Sequence, residues 1–255
     1  MRRGHRARGH AWARRMLVLA ALLGASGAAV GGDARPATHR GVEAEAARVS
    51  APLPVEVPVL LVPGWLDTER DLAALRIRLI GAGWSSQAVE SMTFEDPTGS
   101  NFVHAREIGD AVEALRERTG AERVDIVAHS MGGLATRLYL MNGGEQAVRR
   151  VVFMATPHRG TYVAYLAFGE GREEMKPDSD FLEELNSAPP VPPGVEAMTL
   201  RSSFDAVIVP GESATLPGLE NHEICCPSHA GLLKSEDAFR LVRRFLLDGP
   251  GGGTS

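Results

Sequence analysis

The stretch Val124-Asp125-Ile126-Val127-Ala128-His129-Ser130-Met131-Gly132-Gly133 decides how the rest of the chain is arranged. A β-branched apolar run stops at a serine, Gly132 follows two positions on, and Leu134, Leu138 and Met141 then recur at helical spacing. This predicts a strand, a sharp turn and a helix, with the Ser130 hydroxyl presented at the strand's end on a strained backbone. Small residues are needed two positions before and two after the serine, because the turn brings backbone against backbone. Ala128 supplies the first and Gly132 the second. The alternative is an ordinary strand-to-helix turn in which Ser130 caps the helix.

Before this stretch, Val57-Pro58-Val59-Leu60-Leu61-Val62 is a continuous apolar run of the kind that is buried on both faces of a sheet. Thr68 is expected to cap a helix carrying Leu72, Leu75, Leu79 and Ile80. A second strand opens near Trp84 and reaches Met92 or Thr93, and Ile108, Val112 and Leu115 mark a helix up to Gly120. After the serine come strands at Val148 to Met154, Val195 to Leu200 and about Leu219 to Cys225. A last helix carries Leu232, Leu233, Phe239, Leu241, Val242 and Phe245. The alternation predicts an α/β architecture: a mostly parallel sheet of about six strands with helices on both faces. Residues 157–194 interrupt it with a short helical excursion, one helix at Tyr162 to Phe168 and another at Phe181 to Leu185 with Asp178 and Asp180 as caps. Loops at strand C-termini host ligands in such sheets, so the excursion is expected to line a cleft.

The ends differ from the middle. Residues 1–29 hold six arginines and no acid, then the apolar run Met16 to Leu23 and small residues to Ala29, the layout of an export signal. The run is too short to serve as a permanent membrane anchor. Arg14-Arg15 leaves a twin-arginine route open beside the general secretory one, and the expected location is secreted or periplasmic. Residues 30–53 read as a flexible linker, 54–247 as one catalytic-sized domain, and 248–255 as a flexible tail. Without the six leader arginines, 21 basic residues face 32 acids, near −11, which disfavours nucleic acid and anionic membrane as partners. The adjacent Cys225 and Cys226 cannot staple distant segments; free buried thiols are expected over a strained ring, with no metal-ligand spacing.

A serine hydroxyl needs a base and a carboxylate to orient that base. With the order Ser, then acid, then His, three histidines follow Ser130. His158 comes too early, His222 falls inside the last strand, and His229 lies in the loop after it, so His229 is the expected base. Asp205 follows the strand ending near Leu200 and is the expected acid, with Glu212 and Glu220 as fallbacks. The oxyanion donors are expected to be the amides of Met131 and, in the loop after the first strand, Trp65. Leu66, Tyr162, Tyr165, Leu166, Phe168 and Leu232 are candidates for an acyl-chain wall.

These segments carry a resemblance. From Val57 to Leu247 the chain resembles the small bacterial lipases and esterases of the α/β-hydrolase superfamily, through Pro58 to Gly64, Ala128 to Gly133, Ala155 to Thr161, Ser203 to Val209 and His229 to Leu233. The alanine at 128 is similar to secreted bacterial lipases of minimal size. The resemblance implies hydrolysis of carboxylic esters by Ser130, Asp205 and His229, with an acyl ester or lipid as substrate and no metal or organic cofactor; a monomer is expected. Two departures stand out: Pro63-Gly64 replaces the usual His-Gly, and the smallest members lack an excursion at 157–194. A thioesterase, amidase or acyltransferase would use the same machinery, and a binding protein could keep the fold without the chemistry.

Overall fold

In the first strand, β1 (Val59–Val62), every residue is buried and successive side chains enter different cores. Val59 and Leu61 pack into one, Leu60 and Val62 into the other, as the period of two in a pleated strand requires. The computed structural model describes residues 57–251. The expected export segment, 1–29, and linker, 30–53, lie outside them, as do residues 252–255 of the tail. β1 sits between β2 (Val89–Ser91) and β3 (Val124–His129), followed by β4 (Val148–Met154), β5 (Glu196–Ser202) and β6 (Glu220–Ile224). The order is β2-β1-β3-β4-β5-β6 and every pairing is parallel. All strand C-termini therefore share one edge.

One face is covered by α1 (Ala73–Gly81), through Leu75 and Leu79, and by α6 (Glu236–Asp248), through Phe239, Val242 and Phe245. The other is covered by α2 (Asn101–Thr119), through Ile108, Val112 and Leu115, and by α3 (Met131–Met141), through Ala135 and Leu140. Where β3 meets β4 the register shifts at Val124 and Asp125. There the fully buried Asp125 takes a two-pronged contact from Arg149, whose Nε and Nη2 lie 2.9 and 2.5 Å from its oxygens. Arg149 also donates to the Leu246 carbonyl at 2.8 Å, tying the sheet to α6.

The excursion contains α4 (Glu170–Glu174) and α5 (Asp180–Ser187), preceded by a 3₁₀ turn at Tyr162–Leu166. Its Ala164, Met175, Phe181, Leu182 and Leu185 share a third core with Met131, Leu134 and Leu138 of α3. Two polar clamps hold it down. Glu174 accepts from Ser100 Oγ and from the Asn101 amide and side chain at 2.6, 2.6 and 2.7 Å, across the start of α2. The buried Arg137 of α3 donates to the Leu185 and Pro190 carbonyls and to Asn186 Oδ1, and burial draws its pKa down to about 10.

Three local expectations are corrected. Thr68 does not cap α1: its amide and hydroxyl both bond Asp71 Oδ2, closing a turn that delays the helix to Ala73. Ser179, not Asp178 or Asp180, caps α5 by accepting from the Leu182 amide, while Asp178 has φ +61° and stands outside the helix. Cys225 and Cys226 are neither free nor buried: they sit exposed beyond β6, joined to each other.

Candidate active site

Ser130 directly follows β3 with φ +51° and ψ −128°, a conformation that non-glycine residues seldom adopt. It occupies the N-cap position of α3, yet its side chain makes no capping bond. The hydroxyl is thus not spent on capping the helix. The glycines after it are fixed by contact. A Cβ on Gly132 would lie 2.1 Å from the Pro63 carbonyl oxygen, and one on Gly133 would lie 2.0 Å from Thr156 Oγ1. The turn closes only because neither side chain exists.

Asp205 follows β5 and His229 follows β6, both at the edge where Ser130 stands. His229 Nδ1 lies 2.7 Å from Asp205 Oδ2. The other carboxylate oxygen accepts from the Val207 and Ile208 amides at 2.8 and 3.0 Å, which locks the acid's orientation. Burial alone would push Asp205 up, but the His229 hydrogen bond and charge and these amides together hold it below the usual carboxylate range. It is therefore an acceptor at neutral pH, so His229 carries its proton on Nδ1 and leaves Nε2 bare. Burial lowers the His229 pKa and outweighs the opposing pull of Asp205. No hydrogen bond joins Ser130 to His229 among the described residues; such bonds commonly tighten only when substrate is bound.

A second carboxylate–imidazole pair, absent from the sequence reading, lies beside the first. His129 Nδ1 is 2.6 Å from Asp67 Oδ2, and the ring centroids of His129 and His229 are 4.6 Å apart. The same Asp67 oxygen accepts the Gly64 amide at 3.1 Å, which leaves Trp65 as the next amide donor on that loop. Met131 is the first residue of α3, so its amide has no intrahelical acceptor. An Asp three residues after a turn glycine, with a His before the serine, was the available signal for this pair. It could not be read because the two lie 62 residues apart.

Leu66, Tyr162, Tyr165, Leu166 and Phe168 are all exposed, and Phe204, Val207 and Val209 join them from the Asp205 loop. The segments are knitted together: Trp65 meets the Phe168 ring edge-on at 5.0 Å, Thr161 Oγ1 donates to Val207 O, and the Tyr162 amide to Val209 O. Leu232 is corrected, being fully buried among α1, α6 and the sheet rather than facing a cleft. The alternatives for base and acid are placed elsewhere. His158 is fully buried against Phe153, His222 pairs with Glu220 on the edge strand, and Glu212 lies exposed in a 3₁₀ turn. Among the described residues no cluster of His, Cys, Asp and Glu could hold a metal ion.

The family model described as alpha/beta hydrolase fold matches residues 77–200. Among solved structures, Aspergillus fumigatus lipase B is similar with a TM-score of 0.68 and 18% identity, over 78% of this chain and 54% of that one. The propeptide form of Bacillus licheniformis lipase BlEst2 gives 0.64 and 16%, over 81% and 53%. The monoacylglycerol lipase of Paleococcus ferrophilus gives 0.56 and 16%, over 76% and 96%. The chain thus spans about half the length of the first two. With six parallel strands, a strained serine after the third and a family model matching residues 77–200, the chain has the α/β-hydrolase fold, and its fold is similar to those of lipases and esterases.

Proposed function

We propose that this protein is an exported serine hydrolase that cleaves carboxylic esters with apolar acyl groups. The observation that carries the reading is the 2.7 Å Asp205–His229 bond, formed at the sheet edge where Ser130 stands on a strained turn. His229 Nε2 takes the Ser130 proton as Oγ attacks the ester carbonyl carbon, and the Met131 and Trp65 amides receive the oxyanion. Collapse breaks the bond to the alcohol, which leaves with the proton from His229. Water, deprotonated by the same imidazole, then releases the acid from Ser130. The exposed Leu66, Tyr162, Tyr165, Leu166, Phe168 and Phe204 supply apolar surface for the acyl chain. The leader-like composition of residues 1–29 supports export.

The test is a chain-length series of p-nitrophenyl esters on purified protein, with Ser130→Ala alongside. Serine-dependent turnover that rises toward longer chains is expected. Equal background for both proteins would sink the enzyme reading, and activity confined to short chains would make it an esterase rather than a lipase.

A further inference from the structure

Asp67 bridges two pieces of the site with one oxygen. Oδ2 accepts the Gly64 amide at the start of the oxyanion loop and the His129 Nδ1–H at the end of β3. His129 is held by the central sheet and is 1% exposed, so it is a rigid anchor, whereas Asp67 belongs to the loop. Between Gly64 and Asp67 the loop runs through Leu66 at φ +62°, a backbone conformation that persists only where surrounding contacts impose it. There is no slack toward the nucleophile: a Cβ on Gly64 would lie 2.7 Å from Ser130 Cβ. The His129 Nε2 is buried and makes no hydrogen bond among the described residues, so the ring's hydrogen bonding rests on Nδ1 and Asp67. We propose that Asp67 and His129 are positioning residues that clasp the loop Pro63 to Asp67 onto the elbow and so aim the Trp65 amide at the developing oxyanion. This rests on the ester-hydrolase reading above.

An amide so aimed acts on charge that exists only in the transition state, so its misplacement lowers kcat and spares KM. A merely structural pair would lower thermal stability without that split. The experiment compares wild type, Asp67→Ala, Asp67→Asn, Asp67→Glu, His129→Phe, His129→Asn and Ser130→Ala. It measures p-nitrophenyl butyrate kinetics, inactivation by a p-nitrophenyl alkylphosphonate and thermal melting. Asp67→Ala and His129→Phe are expected to lose about 10- to 100-fold in kcat with KM within about twofold, and to slow phosphonate inactivation in parallel. Asp67→Asn and His129→Asn should recover most of the loss, because a carboxamide oxygen still accepts both N–H groups and a carboxamide nitrogen can still donate to Asp67. Wild-type kcat in Asp67→Ala, or a loss confined to KM, overturns the clasp. Should the Ala and Phe variants fail to fold, Asp67→Glu decides, since its longer side chain displaces the loop: a folded variant with wild-type kcat overturns the proposal. A wild type no faster than Ser130→Ala would instead overturn the hydrolase reading, and the clasp with it.

Discussion

His229 is subject to opposing influences whose balance has a measurable sign. Burial lowers its pKa below the ordinary 6.5, the hydrogen bond and charge of Asp205 raise it, and the neighbouring His129 lowers it again; the net shift is downward. On the proposed mechanism the base works unprotonated, so the acid limb of kcat/KM should fall below that of an ordinary histidine. In Asp205→Ala the upward pull disappears, so the limb should move to still lower pH while kcat falls roughly 10⁴-fold. A pH–rate profile checks both, and a limb that moved upward would contradict this role for Asp205. At this scale the meeting of Asp205 and His229 at the sheet edge where Ser130 stands was legible, because chain order and strand ends constrain it. Asp67 and His129 were not: one reads as a surface turn residue and the other as the end of a strand, and only the fold joins them. Leu232 was misread for a related reason, since the residue's burial depends on α1 and α6, which its neighbours in sequence do not disclose.

Among the elements, the six strands and their alternation with helices followed from apolar runs and spacing, because a sheet buried on both faces leaves a continuous signature. Helix starts were less legible. Asp71 captures Thr68 in a turn and Ser179 outcompetes its acidic neighbours as a cap, and both outcomes turn on local hydrogen bonds that periodicity does not encode. The β3–β4 irregularity is stabilised by the Asp125–Arg149 pair. Burial pushes the Asp125 pKa up, with Arg149 opposing it, so the carboxylate depends on that guanidinium. Arg149→Ala should leave it buried without its partner and also release the Leu246 carbonyl, costing about 3 kcal/mol. Urea unfolding would measure this, and a loss below about 1 kcal/mol would show the pair to be dispensable.

For the molecule as a whole, fully buried His158 links stability to pH. Burial and the charges of Arg137 and Arg159 lower its pKa well below 6.5, so the native state resists a proton that the unfolded chain accepts. The stability from keeping it neutral is whole above pH 6.5 and is lost as the pH falls below that value toward the folded pKa. Each such histidine contributes about 1.4 kcal/mol per pH unit across that window, with His229 acting in the same direction. His158→Leu should therefore flatten the decline between roughly pH 6.5 and 5, as followed by chemical denaturation at a series of pH values. An unchanged slope would mean that His158 titrates normally. The excursion at 157–194 has its own consequence at this scale. Glu174 fastens the excursion to the start of α2, and Arg137 fastens its far end to the helix that begins after Ser130. On the proposed ester-hydrolase reading, an excursion attached at both ends would discriminate among substrates by its fixed surface rather than by the timing of a gate. Changes in what this protein accepts would then be written in the exposed apolar residues of Tyr162 to Phe168 and Phe204 to Val209, and not in hinges.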